Sequence, residues 1–326
     1  MANKTLFSST VGKLLPSTNA VNNEQAPAYA FTPKHALAQY AVTGSLNGTF
    51  YASAETQLDT VLKLSRSVSA EYVAKTAIYC REQGFMKDMP ALLCSTLATR
   101  QEPQLLRKAF ERVIDDGKML RNFVQILRSG VTGRKSLGSS PKRLVQHWFE
   151  QRSDETLFRS SVGQSPSLPD VIKMVHPRPG NESREALYGY LLDRDYKPDA
   201  LPGVVRQFEE FKARRTSEVP NVPFQMLTAL DLGEAEWSAI AEQAPWQMTR
   251  MNLNTFARHG VFKNRELTAK IATRLRNSEA IKRARVFPYQ LMAAYASADA
   301  AVPKVVRDAL QDAMEVAIQN VPQING

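Results

Sequence analysis

Short runs of helical period dominate this chain. Apolar residues recur three to four positions apart, and most runs are bounded by Pro, Gly or Ser, the punctuation that starts and stops helices. Ser53 opens a segment carrying Leu58, Val61, Leu62 and Leu64. Ser69 opens one with Tyr72, Val73, Ala77 and Ile78 that closes at Gly84, a favourable residue just past a helix end. Asp88 precedes a segment with Pro90 in its first turn, and Pro103 starts a run through Phe110 and Val113 that ends at Gly117. The same grammar predicts helices over 118–129, 141–151, 169–176, 183–193, 202–214, 222–230, 234–243, 246–258, 264–276, 287–297 and 303–320. Alternating strand patterns are nearly absent, with Thr49–Ala52 the best short candidate. The fold class is all-α. Many short helices without a long bundle helix point to an α-solenoid of stacked pairs, although no clean period of about 34 or 40 residues emerges. More than half of the residues should be helical. The whole chain, 1–326, reads as a single domain, with room for a poorly structured segment over 1–30. Ser160–Pro169 and Val175–Asn181 are the expected long loops.

Charge narrows the function. The 326 residues carry a formal +10, with 42 Lys and Arg against 32 Asp and Glu. Residues 118–152 hold eight cations and one acid, and residues 247–285 hold ten cations and two acids. The remainder of the chain is net acidic, so the excess is local. A localised positive field suits a polyanion, because neutralising phosphates releases their counterions. Cys80 and Cys94 have no CxxC spacing, and a reducing compartment fits them. The N-terminus lacks the apolar block of a secretory signal, and no stretch approaches the roughly 18 to 20 apolar residues of a membrane span. A soluble, cytoplasmic protein is expected.

Catalytic and metal motifs fail one by one. Gly130-Val-Thr-Gly133-Arg-Lys-Ser136 has its glycines too close for a phosphate-binding P-loop, and Arg134 separates the second glycine from Lys135. It matches a GxxG loop, but that loop belongs to a fold with a sheet. What survives is two glycines that permit close approach of a phosphate, with two cations beside them. His35, His147, His176 and His259 have no metal-ligand spacing, so no metal or other cofactor is expected. His176 differs from the others because Lys173 and Arg178 flank it and Pro177 restricts the chain after it. The acid pairs Asp115/Asp116, Asp193/Asp195 and Glu209/Glu210 read as solvated helix charge. Trp148, Phe149, Phe158, Trp237, Trp246 and Phe256 read as core. Nothing in this set indicates an enzyme.

Three stretches together resemble the TROVE-domain family, which comprises the Ro autoantigen and its bacterial relatives. Asn47-Gly-Thr-Phe-Tyr51 is similar to the family's GTYY element. Gly133-Arg134, Lys142-Arg-Leu and Trp148-Phe149, followed by Ser167-Leu-Pro-Asp-Val-Ile-Lys-Met-Val-His176-Pro-Arg-Pro179, resemble its GR…RK…WY…S-x-x-D-L-L-R-L-S-H-x-K-P stretch. Pro245 … Asn252-Leu253 and Ile281-Lys-Arg-Ala-Arg-Val-Phe-Pro288 resemble its MP…RNL and KKARIHP. The resemblance implies HEAT-like helical pairs closed into a ring with a basic central hole. It implies small structured non-coding Y RNA on the outer surface and single-stranded ends of misfolded RNA in the hole. It further implies RNA quality control and a ring exoribonuclease, polynucleotide phosphorylase, tethered through RNA. The family's Y-RNA histidine falls on His176, a family lysine on Arg159, and a family arginine on Gly163, where the charge is absent. The metal-binding D-x-S-x-S motif of the von Willebrand factor A domain that follows in most relatives does not occur in this chain.

The expected outer RNA surface is Arg134, Lys135, Lys142, Arg143, Arg159, Lys173, His176 and Arg178. The expected hole-lining set is Arg258, Lys263, Arg265, Lys270, Arg274, Arg276, Lys282, Arg283 and Arg285. The leading function is a non-catalytic RNA-binding protein. A helical-repeat nucleic-acid enzyme of the DNA glycosylase type and a protein-interaction solenoid are the alternatives.

Overall fold

The computed structural model describes residues 19–22, 25–44, 46 and 53–321. The strand candidate Thr49–Ala52 and the stretch Asn47–Tyr51 lie outside them. Among the described residues nineteen α-helices account for well over half of the chain, and the only strands are β1 (Ala20–Val21) and β2 (Pro27–Ala28), paired antiparallel. The all-α expectation is met.

The chain packs as two compact units, residues 1–181 with 188–194 and residues 182–187 with 195–326. The first contains α1 (Pro33–Thr43), α2 (Ala54–Ser67), α3 (Ala70–Glu82), α4 (Asp88–Leu97), α5 (Pro103–Val113), α6 (Gly117–Ser129), α7 (Ser139–Glu150), α8 (Asp154–Arg159) and α9 (Leu168–Val175). Ser53, Ser69, Asp116, Ser153 and Ser167 accept backbone N–H groups at helix starts, which satisfies donors that a helix leaves unpaired. Within this unit a helix packs on its successor and on the next but one: α3 meets α4 and α5, α4 meets α6, and α5 meets α7. That is the packing pattern of stacked helical layers. In α5 the buried residues Leu106, Ala109, Phe110 and Val113 form one stripe, whereas Met89 to Leu97 of α4 are all buried because helices pack around it. Each fully buried Leu or Phe of this kind contributes about 1.5–3 kcal/mol.

The helix α10 (Glu182–Leu192) supplies residues to both units. The second unit continues with α11 (Gly203–Lys212), α12 (Phe224–Thr228), α13 (Glu234–Gln243), α14 (Trp246–Met251), α15 (Leu253–Arg258), α16 (Arg265–Leu275), α17 (Ser278–Ala284), α18 (Pro288–Ser297) and α19 (Lys304–Ala317). Trp237, Trp246, Phe256, Ile271, Ile281 and Leu310 lie in its core, and Trp246 Nε1 donates to the Leu275 carbonyl at 3.0 Å.

Several local expectations need correction. Gly117 does not end α5; it begins α6, with Asp116 as its cap. A Cβ at Gly117 would lie 2.5 Å from Ser160 Cβ, so close approach explains the glycine. The left-handed residue after α3 is Phe85 (φ +53°) rather than Gly84; a Cβ at Gly84 would crowd the Cys80 carbonyl oxygen at 2.8 Å. The helix expected over 246–258 breaks at Asn252, whose Nδ2 donates to the Met248 carbonyl and competes with the backbone. The helices α1, α8 and α17 have no counterpart in the sequence pattern. They carry few buried apolar residues, Ile281 alone in α17, so their period is weak. Ser160–Pro169 is shorter as a loop than expected, since α9 already starts at Leu168.

Candidate nucleic-acid interface

The first basic cluster is built on α6, α7, α9 and their connections. The turn between α6 and α7 needs its glycines for backbone reasons: Gly130, Gly133 and Gly138 have φ of +92°, +90° and +73°. Arg134 turns inward across this loop. Its Nη1 donates to the Ala98 carbonyl at 2.6 Å and its guanidinium covers Gly138, so Arg134 is a half-buried tether. Lys135 is exposed. On α7, Lys142 is half-buried and Arg143 exposed. Arg143 lines a cleft of about 360 Å³ together with Arg107, Ser140 and His147.

The helix α9 is held by a reciprocal cap, in which Ser167 Oγ accepts the Asp170 N–H and Asp170 Oδ2 accepts both the Ser167 N–H and hydroxyl. The Ser167 hydroxyl hydrogen bond holds the Asp170 carboxyl below its ordinary value. At the other end His176 closes the helix in the left-handed conformation, φ +52°, with its N–H donating to the Ile172 carbonyl at 2.8 Å. Pro177 is buried, and Lys173, His176 and Arg178 are exposed or nearly so. Gln146 Nε2 donates to the Val175 carbonyl at 2.6 Å, fastening α7 beside the end of α9. Gln146 lies one turn beyond Lys142 and Arg143 on α7. Arg159 instead pairs with Glu155 at 2.8 Å on its own helix.

Arg121 belongs to the cluster but not to the expected site. Its Nη1 donates to the Ser160 carbonyl at 2.7 Å, and its guanidinium stands against Gly163, where any Cβ would collide with it. A cation therefore occupies the space beside the position where the sequence lacks one. Nothing in the local sequence links these two residues; only the contact shows it.

The second set, in the other unit, separates into committed and available cations. Lys263 pairs with Glu234, Lys270 with Glu242 and Glu266, and Arg276 with Asp312. The Glu242 hydrogen bond raises the Lys270 pKa. Arg274 is half-buried and donates to the carbonyls of Ala241 and Glu242 and to Thr249 Oγ1; burial lowers its pKa. Among the described residues the Arg258 side chain donates to its neighbour Thr255 alone. Arg265, Lys282 and Arg283 are exposed and available; Arg285 is exposed and has an interaction of its own.

The groups set aside in the sequence are accounted for structurally. Trp148, Phe149, Phe158, Trp237, Trp246 and Phe256 are all buried. His259 stacks on Trp237 at 4.3 Å. Asp115 and Asp116 are more than solvated charge: Asp115 pairs with Arg81, and Asp116 caps α6 and pairs with Lys87. Burial works to raise the Asp116 carboxyl, but the Met119 N–H and Lys87 outweigh it. Cys80 and Cys94 are free and buried, and burial pushes the Cys80 thiol up to about 12. Among the described residues no cluster of His, Cys, Asp or Glu has metal-site geometry, and no helix is long and apolar enough to cross a membrane.

The structure defines an all-helical protein, with stacked helical layers in the first unit and exposed cations concentrated in both sets. Comparison with known proteins says what this chain is similar to. Residues 224–326 match the TROVE domain. The RNA-binding protein RO60 of Deinococcus radiodurans is 25% identical over 340 residues, covering 93% of this chain and 63% of that protein. The crystal structure of the Deinococcus radiodurans RO (RSR) protein superimposes with a TM-score of 0.64 at 19% identity, over 89% of this chain and 65% of the other. At that identity the likeness is one of fold. The chain spans less than two thirds of the length of either relative. The resemblance to the TROVE-domain family is borne out.

Proposed function

We propose that this chain is a non-catalytic RNA-binding protein, with the α7–α9 surface taking a small structured non-coding RNA of the Y RNA kind. The observation that supports this reading is the tether from Gln146, on the helix of Lys142 and Arg143, to Val175, the residue before the exposed His176 cap. Lys and Arg contacts to phosphates would position the RNA, and the His176 ring would hydrogen-bond or stack on a base. We further propose that the two units form one TROVE-type domain closed into a ring. The available cations of the second set would then face its hole and accept single-stranded ends of misfolded RNA. On this reading the protein acts in cytoplasmic RNA quality control, with a ring exoribonuclease such as polynucleotide phosphorylase tethered through the RNA. The name of the RO60 relative, an RNA-binding protein, supports the RNA partner.

The glycosylase alternative requires a buried carboxyl group with a raised or specifically paired pKa in the basic groove; Asp116 and Asp170 are both shifted down, and the partners of Asp116 are the Met119 N–H of its cap and Lys87. The test is a titration of structured small RNA, single-stranded RNA and duplex DNA at two salt concentrations. Salt-dependent preference for RNA is the expected result. Equal or absent binding of all three returns the protein to the interaction-solenoid reading.

A further inference from the structure

The outward face of α18 is aromatic and has no protein covering it among the described residues. Tyr289 is 62% exposed, Met292 59% and Tyr295 37%, at a spacing of three that keeps them along one side of the helix. Only Leu291 of α18 is fully buried. The helix is nevertheless held firmly. Arg250 Nη1 donates to the Gln290 carbonyl at 3.1 Å near its start, Asn254 Nδ2 donates to the Ser297 carbonyl at 2.8 Å at its end, and α19 packs along it. The Tyr289 ring lies nearly parallel to that of Phe287, with centroids 6.2 Å apart and planes 15° apart. Phe287 thus gives the Tyr289 ring an aromatic neighbour.

Charge tells what fits such a face. Residues 280–298 contain Lys282, Arg283 and Arg285 and no carboxylate. The side chains of Lys282 and Arg283 form no ion pair or hydrogen bond among the described residues, in contrast to Lys263, Lys270 and Arg276. Arg285 lies four residues before Tyr289, within about 14 Å along even an extended chain. Cations a few residues ahead of exposed aromatic rings are a combination that suits an unpaired strand: the cations track phosphates, and every base has a face that stacks.

We infer that Tyr289 and Tyr295 form a base-stacking platform for single-stranded RNA whose phosphates are held by Lys282, Arg283 and Arg285. This deepens the proposed single-strand site and rests on that reading. The platform would make binding tolerant of sequence yet dependent on the presence of bases.

The experiment compares oligoadenylate with an abasic ribose-phosphate strand of equal length, for the parent and for Tyr289→Ala with Tyr295→Ala. The parent should bind oligoadenylate at least about tenfold more tightly than the abasic strand, the effect of one or two stacked bases. The double variant should lose that preference, bind the abasic strand as the parent does and keep the same salt slope. Tyr289→Phe with Tyr295→Phe should restore the parent's preference, since rings rather than hydroxyls are required. Tyr289, 62% exposed, should lose little stability as alanine, whereas Tyr295, 37% exposed, should lose some packing, so binding is compared well below both melting temperatures. Unchanged oligoadenylate binding in the alanine variant overturns the platform. A change of oligomeric state in that variant overturns it as well, by showing that the face meets a second copy. A parent that binds neither strand overturns the RNA reading beneath it.

Discussion

His176 combines two demands at one position. It closes α9 in the left-handed conformation, which costs most side chains roughly 1–2 kcal/mol, and it presents its ring to solvent between Lys173 and Arg178. His176→Ala would mix backbone strain with loss of the ring. His176→Asn is the cleaner variant, because asparagine tolerates that backbone. It should weaken structured-RNA binding by about 1–3 kcal/mol, with an unchanged melting temperature and salt slope. An early melt would place His176 among purely structural residues. The cap at the other end of α9 supports a second prediction. Ser167→Ala should lower stability by about 1 kcal/mol in denaturant melts. Asp170, depressed chiefly by the Ser167 hydroxyl, should stabilise the fold fully above the ordinary carboxylate range. That contribution should disappear as pH falls below about 4 toward the depressed folded-state value. Asp170→Asn should flatten this acid limb, as read by thermal melts between about pH 7 and pH 3.

Helices here are positioned by a few contacts between distant segments. The α6 start is pressed so closely on Ser160 that Gly117→Ala should cost about 1–3 kcal/mol by overpacking. A variant as stable as the parent would show that Ser160 moves freely. Trp148 Nε1 on the Ile114 carbonyl ties α7 to the end of α5, and Arg128 Nη1 on Met174 Sδ ties α6 to α9. Such ties decide which cations are available. Arg134 and Arg274 look like spare charge in the sequence, yet each is committed to carbonyl oxygens of another segment.

At the scale of the whole molecule, each unit carries its own basic set, and the two should respond separately to charge removal. Lys142→Ala with Arg143→Ala should weaken structured RNA and reduce its log–log salt slope by roughly 0.7 to 0.9 for every phosphate no longer neutralised. Neutralising Lys282, Arg283 and Arg285 together should weaken single strands more than structured RNA; equal losses would mean that one surface serves both. The all-helical class, the caps at Ser53 and Ser69 and the burial of the six aromatic residues were legible in the sequence. Helical hydrogen bonds and amphipathic stripes are local, so their signals fall within about a dozen residues. Ion pairing between helices is not local. Glu234, Glu242 and Asp312 neutralise Lys263, Lys270 and Arg276 from 28 to 36 residues away. The sequence by itself thus determined the helices and the total charge. Only the tertiary structure decided which charges remain available to a ligand, because that depends on which side chains packing brings within a few ångströms of one another.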